Sequence, residues 1–224
     1  MKENEVILKR QSTRIFFKNG DTDFFFNWLL GIGEVFGFSH GELYYLAQKL
    51  GKSPKPDDWK NVFLSHGNYL EQKVSHSGLS EQTKAQYYLA QTYSLRSAIQ
   101  FINPFSDEYL STVHQMEKAF SDAVHSLGAP VEKLMIDYQD SYLPGYYLHS
   151  GNNCPTLIMV GGGDTYREDL FYFAGYPGWI RNYNVLMVDL PGQGSNPSRG
   201  LVFDVDASIP ISLCIDWLEN RNPK

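Results

Sequence analysis

A chain of 224 residues with 42% hydrophobic and 20% charged side chains can fold around a core, as one large domain or as a small one joined to part of a larger one. The 19 basic residues stand against 25 acidic ones, net −6, without a basic cluster, which argues against nucleic acid or an anionic membrane surface as partner. No window approaches the roughly 18 uninterrupted apolar residues of a membrane span, the start Met1-Lys2-Glu3-Asn4-Glu5 is no secretion signal, and two cysteines, Cys154 and Cys214, cannot form a disulfide scaffold and read as free thiols of a cytoplasmic protein.

Up to about Gly128 the apolar residues recur at helical spacing. Helices are predicted at Asp21–Val35, Gly41–Leu50 (stopped by Gly51) and Asp57–Val74. The first carries Phe24-Phe25-Phe26-Trp28-Leu29-Leu30, apolar almost all round, as in a buried helix or one facing a partner or an apolar pocket. Ser80 to Ile102 shows a stripe through Ala85, Leu89, Thr92, Leu95 and Ile99. Asp107 to Leu127 shows another through Tyr109, Val113, Met116, Phe120 and Ala123, with acidic residues at its start and Gly128 and Pro130 at its end. Residues 1–128 therefore read as an all-helical domain.

From Val131 the period becomes two. Leu134, Ile136 and Tyr138 alternate with polar or outward residues, Gln139-Asp140-Ser141 turns, and Leu143–His149 returns, a β-hairpin. After the turn Gly151-Asn152-Asn153, the continuous apolar runs Thr156–Val160 and Val185–Val188 read as strands buried on both faces. A helix over Tyr166–Ala174 lies between them and another over Ala207–Asn220 follows. Strand–helix–strand–helix predicts a parallel α/β sheet in residues 129–224.

Gly161-Gly162-Gly163-Asp164 leaves the first buried run just before a helix. Glycines let the backbone approach a ligand, and converging N–H groups suit an oxyanion or a phosphate; a tight turn without ligand is the plain alternative. Thr165 with Glu168 reads as a capping box. Against phosphate, the lysine-bearing loop is absent and Tyr166 stands where a dinucleotide fingerprint needs its third glycine. Asp189-Leu190-Pro191-Gly192-Gln193-Gly194-Ser195 is a tight strand exit in which Asp189 can fix the loop through backbone N–H groups. Ser195 is not in a Gly-x-Ser-x-Gly elbow and reads as structural. His40, His66, His76, His114, His125 and His149 show no metal spacing, Asp57-Asp58, Asp204 and Asp206 suit helix starts, and both cysteines read as packing residues, so neither metal nor cofactor is expected.

The hairpin with Leu143-Pro144-Gly145-Tyr146, the segment Pro155 to Asp164, and Val188-Asp189-Leu190-Pro191-Gly192-Gln193-Gly194 resemble, in order and spacing, the opening strands of the α/β-hydrolase fold. The helices before them, with Tyr93-Ser94-Leu95-Arg96-Ser97-Ala98, look like the cap of the subgroup holding FrsA-like esterases, a pseudooxynicotine hydrolase and polyketide-shortening hydrolases. The resemblance implies serine acyl transfer, with Gly161, Gly162 and Gly163 as the oxyanion-hole loop and C–C cleavage of a polyketide or 1,3-dicarbonyl compound somewhat favoured over plain ester hydrolysis. The family's nucleophile elbow, acid and histidine are not in these residues. The stop at Asn222-Pro223-Lys224, which would leave an apolar strand edge open, reads as truncation. The expected partners are thus the C-terminal half of the same hydrolase and a small aromatic, polyketide or ester substrate; a homodimer is compatible with the sequence. A helical interaction protein with a decayed half-fold and a phosphate binder are the competing readings.

Overall fold

The computed structural model describes residues 13–36 and 38–221, so the two chain ends read above, Met1–Glu5 and Asn222–Lys224, lie outside it. Five helices come first: α1 (Gly20–Phe36), α2 (His40–Leu50), α3 (Pro56–Val74), α4 (Glu81–Ile99) and α5 (Asp107–Ser126). Their starts follow from side chains that satisfy orphan backbone donors. Ser39 accepts from the Glu42 N–H, Ser80 from Thr83 and Ser106 from Tyr109, while Pro56 opens α3, where its missing N–H costs nothing. The chain before α1 is pinned by Asp23, whose carboxylate accepts from the N–H groups of Ile15, Phe16 and Phe17 at 2.9, 2.7 and 2.8 Å.

α4 departs from its expected single stripe. Every residue from Leu89 to Ile99 is buried, because the helix is wedged between α3 and α5. Its polar side chains survive burial by bonding back to the preceding turn: Thr92 to the Tyr88 carbonyl (2.8 Å), Ser94 to Ala90 (2.9 Å) and Ser97 to Tyr93 (2.6 Å).

Four strands follow: β1 (Val131–Tyr138), β2 (Ser141–Leu148), β3 (Thr156–Val160) and β4 (Asn184–Val188), in the spatial order β1-β2-β4-β3. β3 and β4 are parallel, but β4 pairs antiparallel with β2, so the predicted parallel sheet is a mixed one that takes in the hairpin. β4 is central and buried throughout, as its apolar run predicted. β3 is not. It is the edge strand, with Leu157 41% and Ile158 36% exposed, which corrects the reading of it as buried on both faces.

The sheet divides two apolar clusters. Tyr146, Val185 and Met187 face the helices and join Trp59, Tyr93, Phe120 and Phe171 in one cluster. Tyr147, Leu186 and Val188 face the other way, against Cys214 and Trp217 of α8 (Ser208–Arg221). Between β3 and β4 the predicted helix is a composite: α6 (Arg167–Leu170), a π-helical turn over Phe171–Gly175, and α7 (Tyr176–Trp179). Among the described residues no helix is long and apolar enough to cross a membrane.

Candidate functional site

Ligands of open α/β sheets bind outside the carboxyl ends of the parallel strands. Here that end carries two loops, Gly161–Thr165 after β3 and Asp189–Gly200 after β4, tied together where the Gln193 side chain donates to the Gly161 carbonyl at 2.5 Å. Asn196 holds the second loop in shape by donating to the carbonyls of Asp189 (2.9 Å) and Leu190 (2.8 Å). Gly194 has φ +53°, and a Cβ there would lie 2.2 Å from Asp189 Oδ2, so both conformation and space require glycine.

The three glycines of the first loop differ. A Cβ on Gly161 would lie 2.5 Å from Thr165 Cβ, whereas one on Gly162 would meet only Thr165 Oγ1 at 3.6 Å and one on Gly163 the Phe203 ring at 3.4 Å. None has positive φ; the need for glycine is steric, and it falls on Gly161. The Gly162 N–H is held by Thr165 Oγ1 at 3.1 Å. Those of Gly161 and Gly163 have no acceptor among the described residues. The expected Thr165–Glu168 capping box does not form. Thr165 serves Gly162, and it is Asp169 that accepts from the N–H at the helix start, Tyr166, at 3.0 Å.

Beside this loop lies a cavity of about 220 Å³. α1 contributes Phe24, Phe25, Trp28 and Leu29 to its wall and α3 contributes Trp59; Asp164, Thr165 and Asp169 come from the loop and α6. The predicted apolar cluster of α1 is therefore shared, with Phe26 buried in the core, Phe24, Phe25 and Trp28 on the cavity, and Leu29 both buried and part of the cavity wall. The polar side is held by Arg96 of α4, whose Nε donates to Asp169 Oδ2 (3.0 Å), with further bonds to the Asp164 carbonyl and Gln100. Its guanidinium lies over the rings of Tyr166 (4.3 Å) and Trp28 (5.3 Å). Burial pushes the Asp169 carboxyl up, and Arg96 opposes it.

Behind α6 a second charged cluster locks helices to sheet. Arg167, 1% exposed, donates to Asp189 Oδ2 (2.8 Å) and to Glu117 of α5, and its Nε is 3.4 Å from Glu168 Oε1. Glu168 also accepts from the Tyr146 hydroxyl (2.8 Å), and Glu117 from Lys133 (2.8 Å). Asp189 thus fixes its loop chiefly through a buried arginine. Burial raises its carboxyl from an ordinary 3.8 to about 7, against the pull of Arg167. From about 3.8 to about 7 the folded protein keeps a proton that the unfolded chain has released, so this group's contribution to stability is full at the acid end and falls as pH rises. Urea unfolding across that range should show wild type losing stability relative to Asp189→Asn with rising pH; a relative gain would refute the assignment.

Ser195 is buried and accepts from Arg199 at 3.0 Å, and among the described residues no histidine hydrogen-bonds to it. One constellation escaped the sequence reading: His66 Nδ1 lies 2.7 Å from Ser94 Oγ and His66 Nε2 3.0 Å from Glu42 Oε1. It looks like a nucleophile, base and acid, but the Ser94 hydroxyl donates to the Ala90 carbonyl and is fully buried in the middle of α4, where no substrate can reach it. No local signal marks residues so far apart. Among the described residues Cys154 and Cys214 are unpaired, and no three His, Cys, Asp or Glu side chains gather as metal ligands would.

The strand order, the glycine loop at the carboxyl end of β3 and the helical layer over it define the α/β-hydrolase fold, and the solved relatives share it. The 2,6-dihydroxy-pseudo-oxynicotine hydrolase matches with a TM-score of 0.56 and 20% identity over 73% of this chain and 46% of its own. The protein AbyA5 matches with a TM-score of 0.56 and 18% identity over 77% and 47%. No protein-family model matches the chain. In sequence it is similar to the α/β hydrolase ucsC of an Acremonium species, 27% identical over 214 residues, or 86% of this chain and 43% of that protein. It is also similar to the α/β hydrolase psoB of Aspergillus fumigatus, 28% identical over 193 residues, or 80% and 43%. The chain's homologues are α/β hydrolases, and it spans less than half the length of those named here.

Proposed function

We propose that the chain is the N-terminal part of a serine α/β-hydrolase. Residues 1–128 act as its cap and residues 129–224 as the first half of its catalytic domain, while the nucleophile elbow, acid and histidine lie on a further segment. The observation that carries this reading is the position of the aromatic cavity, walled by cap helices on one side and by the residues next to Gly161–Gly163 on the other. The exposed apolar edge of β3 supports it, since an unpaired hydrophobic strand edge invites another strand; relatives of about twice the length support it as well.

In this reading a serine hydroxyl, deprotonated by histidine, attacks a ketone carbonyl of a 1,3-dicarbonyl or polyketide substrate. N–H groups of the Gly161–Gly163 loop hold the resulting oxyanion. Collapse breaks the C–C bond, the enolate leaves and takes the proton from the histidine, and water then frees the acyl group from serine. An ester would follow the same course with an alkoxide leaving. The present chain by itself is inactive in this reading.

The test is to isolate the protein from its source and identify peptides that travel with the chain, then to incubate the preparation with benzoylacetone and with 4-nitrophenyl acetate. A Gly-x-Ser-x-Gly peptide and cleavage of benzoylacetone into a carboxylic acid and a ketone are expected. Turnover of the ester alone would select the carboxylesterase. Absence of such a peptide, or of any turnover, would overturn the reading.

A further inference from the structure

We propose that Gln193 is a positioning residue: from the loop after β4 its side-chain amide holds the peptide between Gly161 and Gly162, and so sets where the free N–H groups of the glycine turn point. The proposal rests on the preceding reading, in which those groups hold the oxyanion. Gln193 is buried, and its amide is used at both ends. Oε1 accepts from the Leu190 N–H at 2.9 Å, and Nε2 donates to the Gly161 carbonyl at 2.5 Å. These partners fix which end is which, since a turned amide would set oxygen against oxygen and N–H against N–H. The turn that carries Gln193 is itself closed, by its own N–H on the Leu190 carbonyl (2.9 Å) and by the Asn196 N–H on the Gln193 carbonyl (3.0 Å).

A peptide unit is planar, so its carbonyl and its N–H point opposite ways and turn together. In the unit joining Gly161 to Gly162, Gln193 holds the carbonyl and Thr165 Oγ1 holds the N–H at 3.1 Å. In the next unit the Gly162 carbonyl accepts from the Thr165 N–H at 3.2 Å, and the Gly163 N–H on its far side has no acceptor among the described residues. Thr165 belongs to the same turn and moves with it. The holds from outside are Arg96 at the Asp164 carbonyl and Gln193 at Gly161, and Gln193 is the one that ties the turn to the end of the central strand β4. Three successive glycines resist backbone rotation least of all residues, so a turn released at Gly161 can swing its N–H groups away.

Gln193→Glu separates holding from packing, because its shape is that of glutamine. One carboxyl oxygen can still accept from the Leu190 N–H. The other can donate to the Gly161 carbonyl only when protonated, and when ionised it repels that oxygen. The experiment compares hydrolysis of 4-nitrophenyl acetate by the full-length protein, wild type and variant, from about pH 8.5 down to about pH 5, where a buried glutamate beside a carbonyl gains its proton. The variant's kcat is expected to lie at least about tenfold below wild type at the upper end and within about threefold of it at the lower, with KM within about threefold throughout. A ratio of variant to wild type that does not change with pH overturns the inference, and so does equal kcat at the upper end. Circular dichroism at both ends checks the fold. If the glutamate variant does not fold, Gln193→Met decides: a fall in kcat of at least about tenfold with KM unchanged supports the inference, and a smaller fall, or one matched by a rise in KM, overturns it. No turnover by wild type sinks the hydrolase reading and this inference with it, whereas wild-type turnover with a flat ratio sinks this inference alone.

Discussion

Replacing Arg167 by methionine should cost about 3–5 kcal/mol of folding stability, enough to leave many domains of this size unfolded. The reason is what remains behind. Glu168 and Asp189 are buried and Glu117, which also holds Lys133, is partly so, and Arg167 is the cation that all three share. Burial already pushes the Glu168 carboxyl up, with Arg167 as the main opposing influence and the Glu117 charge adding to the rise. Without the guanidinium these groups must take up protons or draw in water. Chemical unfolding followed by circular dichroism measures the loss. The triple variant Arg167→Met, Glu168→Gln, Asp189→Asn should recover part of it, because no unpaired charge is then buried. A loss below about 1 kcal/mol in the single variant would mean that water reaches this cluster and that it does not fasten the helices to the sheet.

On the proposed reading of the Gly161–Gly163 loop as an oxyanion donor, Gly161→Ala in the full-length protein should lower kcat by about 10²–10³, the usual consequence of losing one such donor. The new methyl would lie 2.5 Å from Thr165 Cβ, so loop or helix start must move, and the N–H groups of this turn move with it. Gly162→Ala is the internal control. Its methyl meets only Thr165 Oγ1 at 3.6 Å, and its N–H is already occupied, so kcat should change less than about threefold. Steady-state kinetics with 4-nitrophenyl acetate, alongside the unfolding midpoint of each variant, separates a displaced donor from general destabilisation. If both substitutions reduce kcat equally, or neither does, the loop has no part in stabilising the reaction.

The helices were legible because their signals are local. Ser39, Ser80 and Ser106 cap the turns directly after them, and the stripe of α5 is written in its own residues. The hairpin was legible for the same reason, but not its register: Ser141, read as part of the turn, already pairs with Tyr138. β3 was misjudged because an apolar run reports what a strand can tolerate on its faces, while edge or centre depends on which strands pair beside it. For the candidate site, the glycine loop stood out as a local composition. Its polar environment did not, since Arg96 meets Asp169 across 73 residues, Arg167 meets Glu117 across 50, and His66 meets Ser94 across 28.

By itself, the order of residues determined most of where the chain turns, most of the segments that become helix or strand, and that a glycine stretch follows β3; these depend on backbone preferences and hydrogen bonds within a few residues. Only the tertiary structure decided that β3 is an edge and that Gly161 alone of the three glycines has no room for a methyl group. Those outcomes depend on the distance between atoms far apart along the chain, and packing, not local propensity, sets such distances.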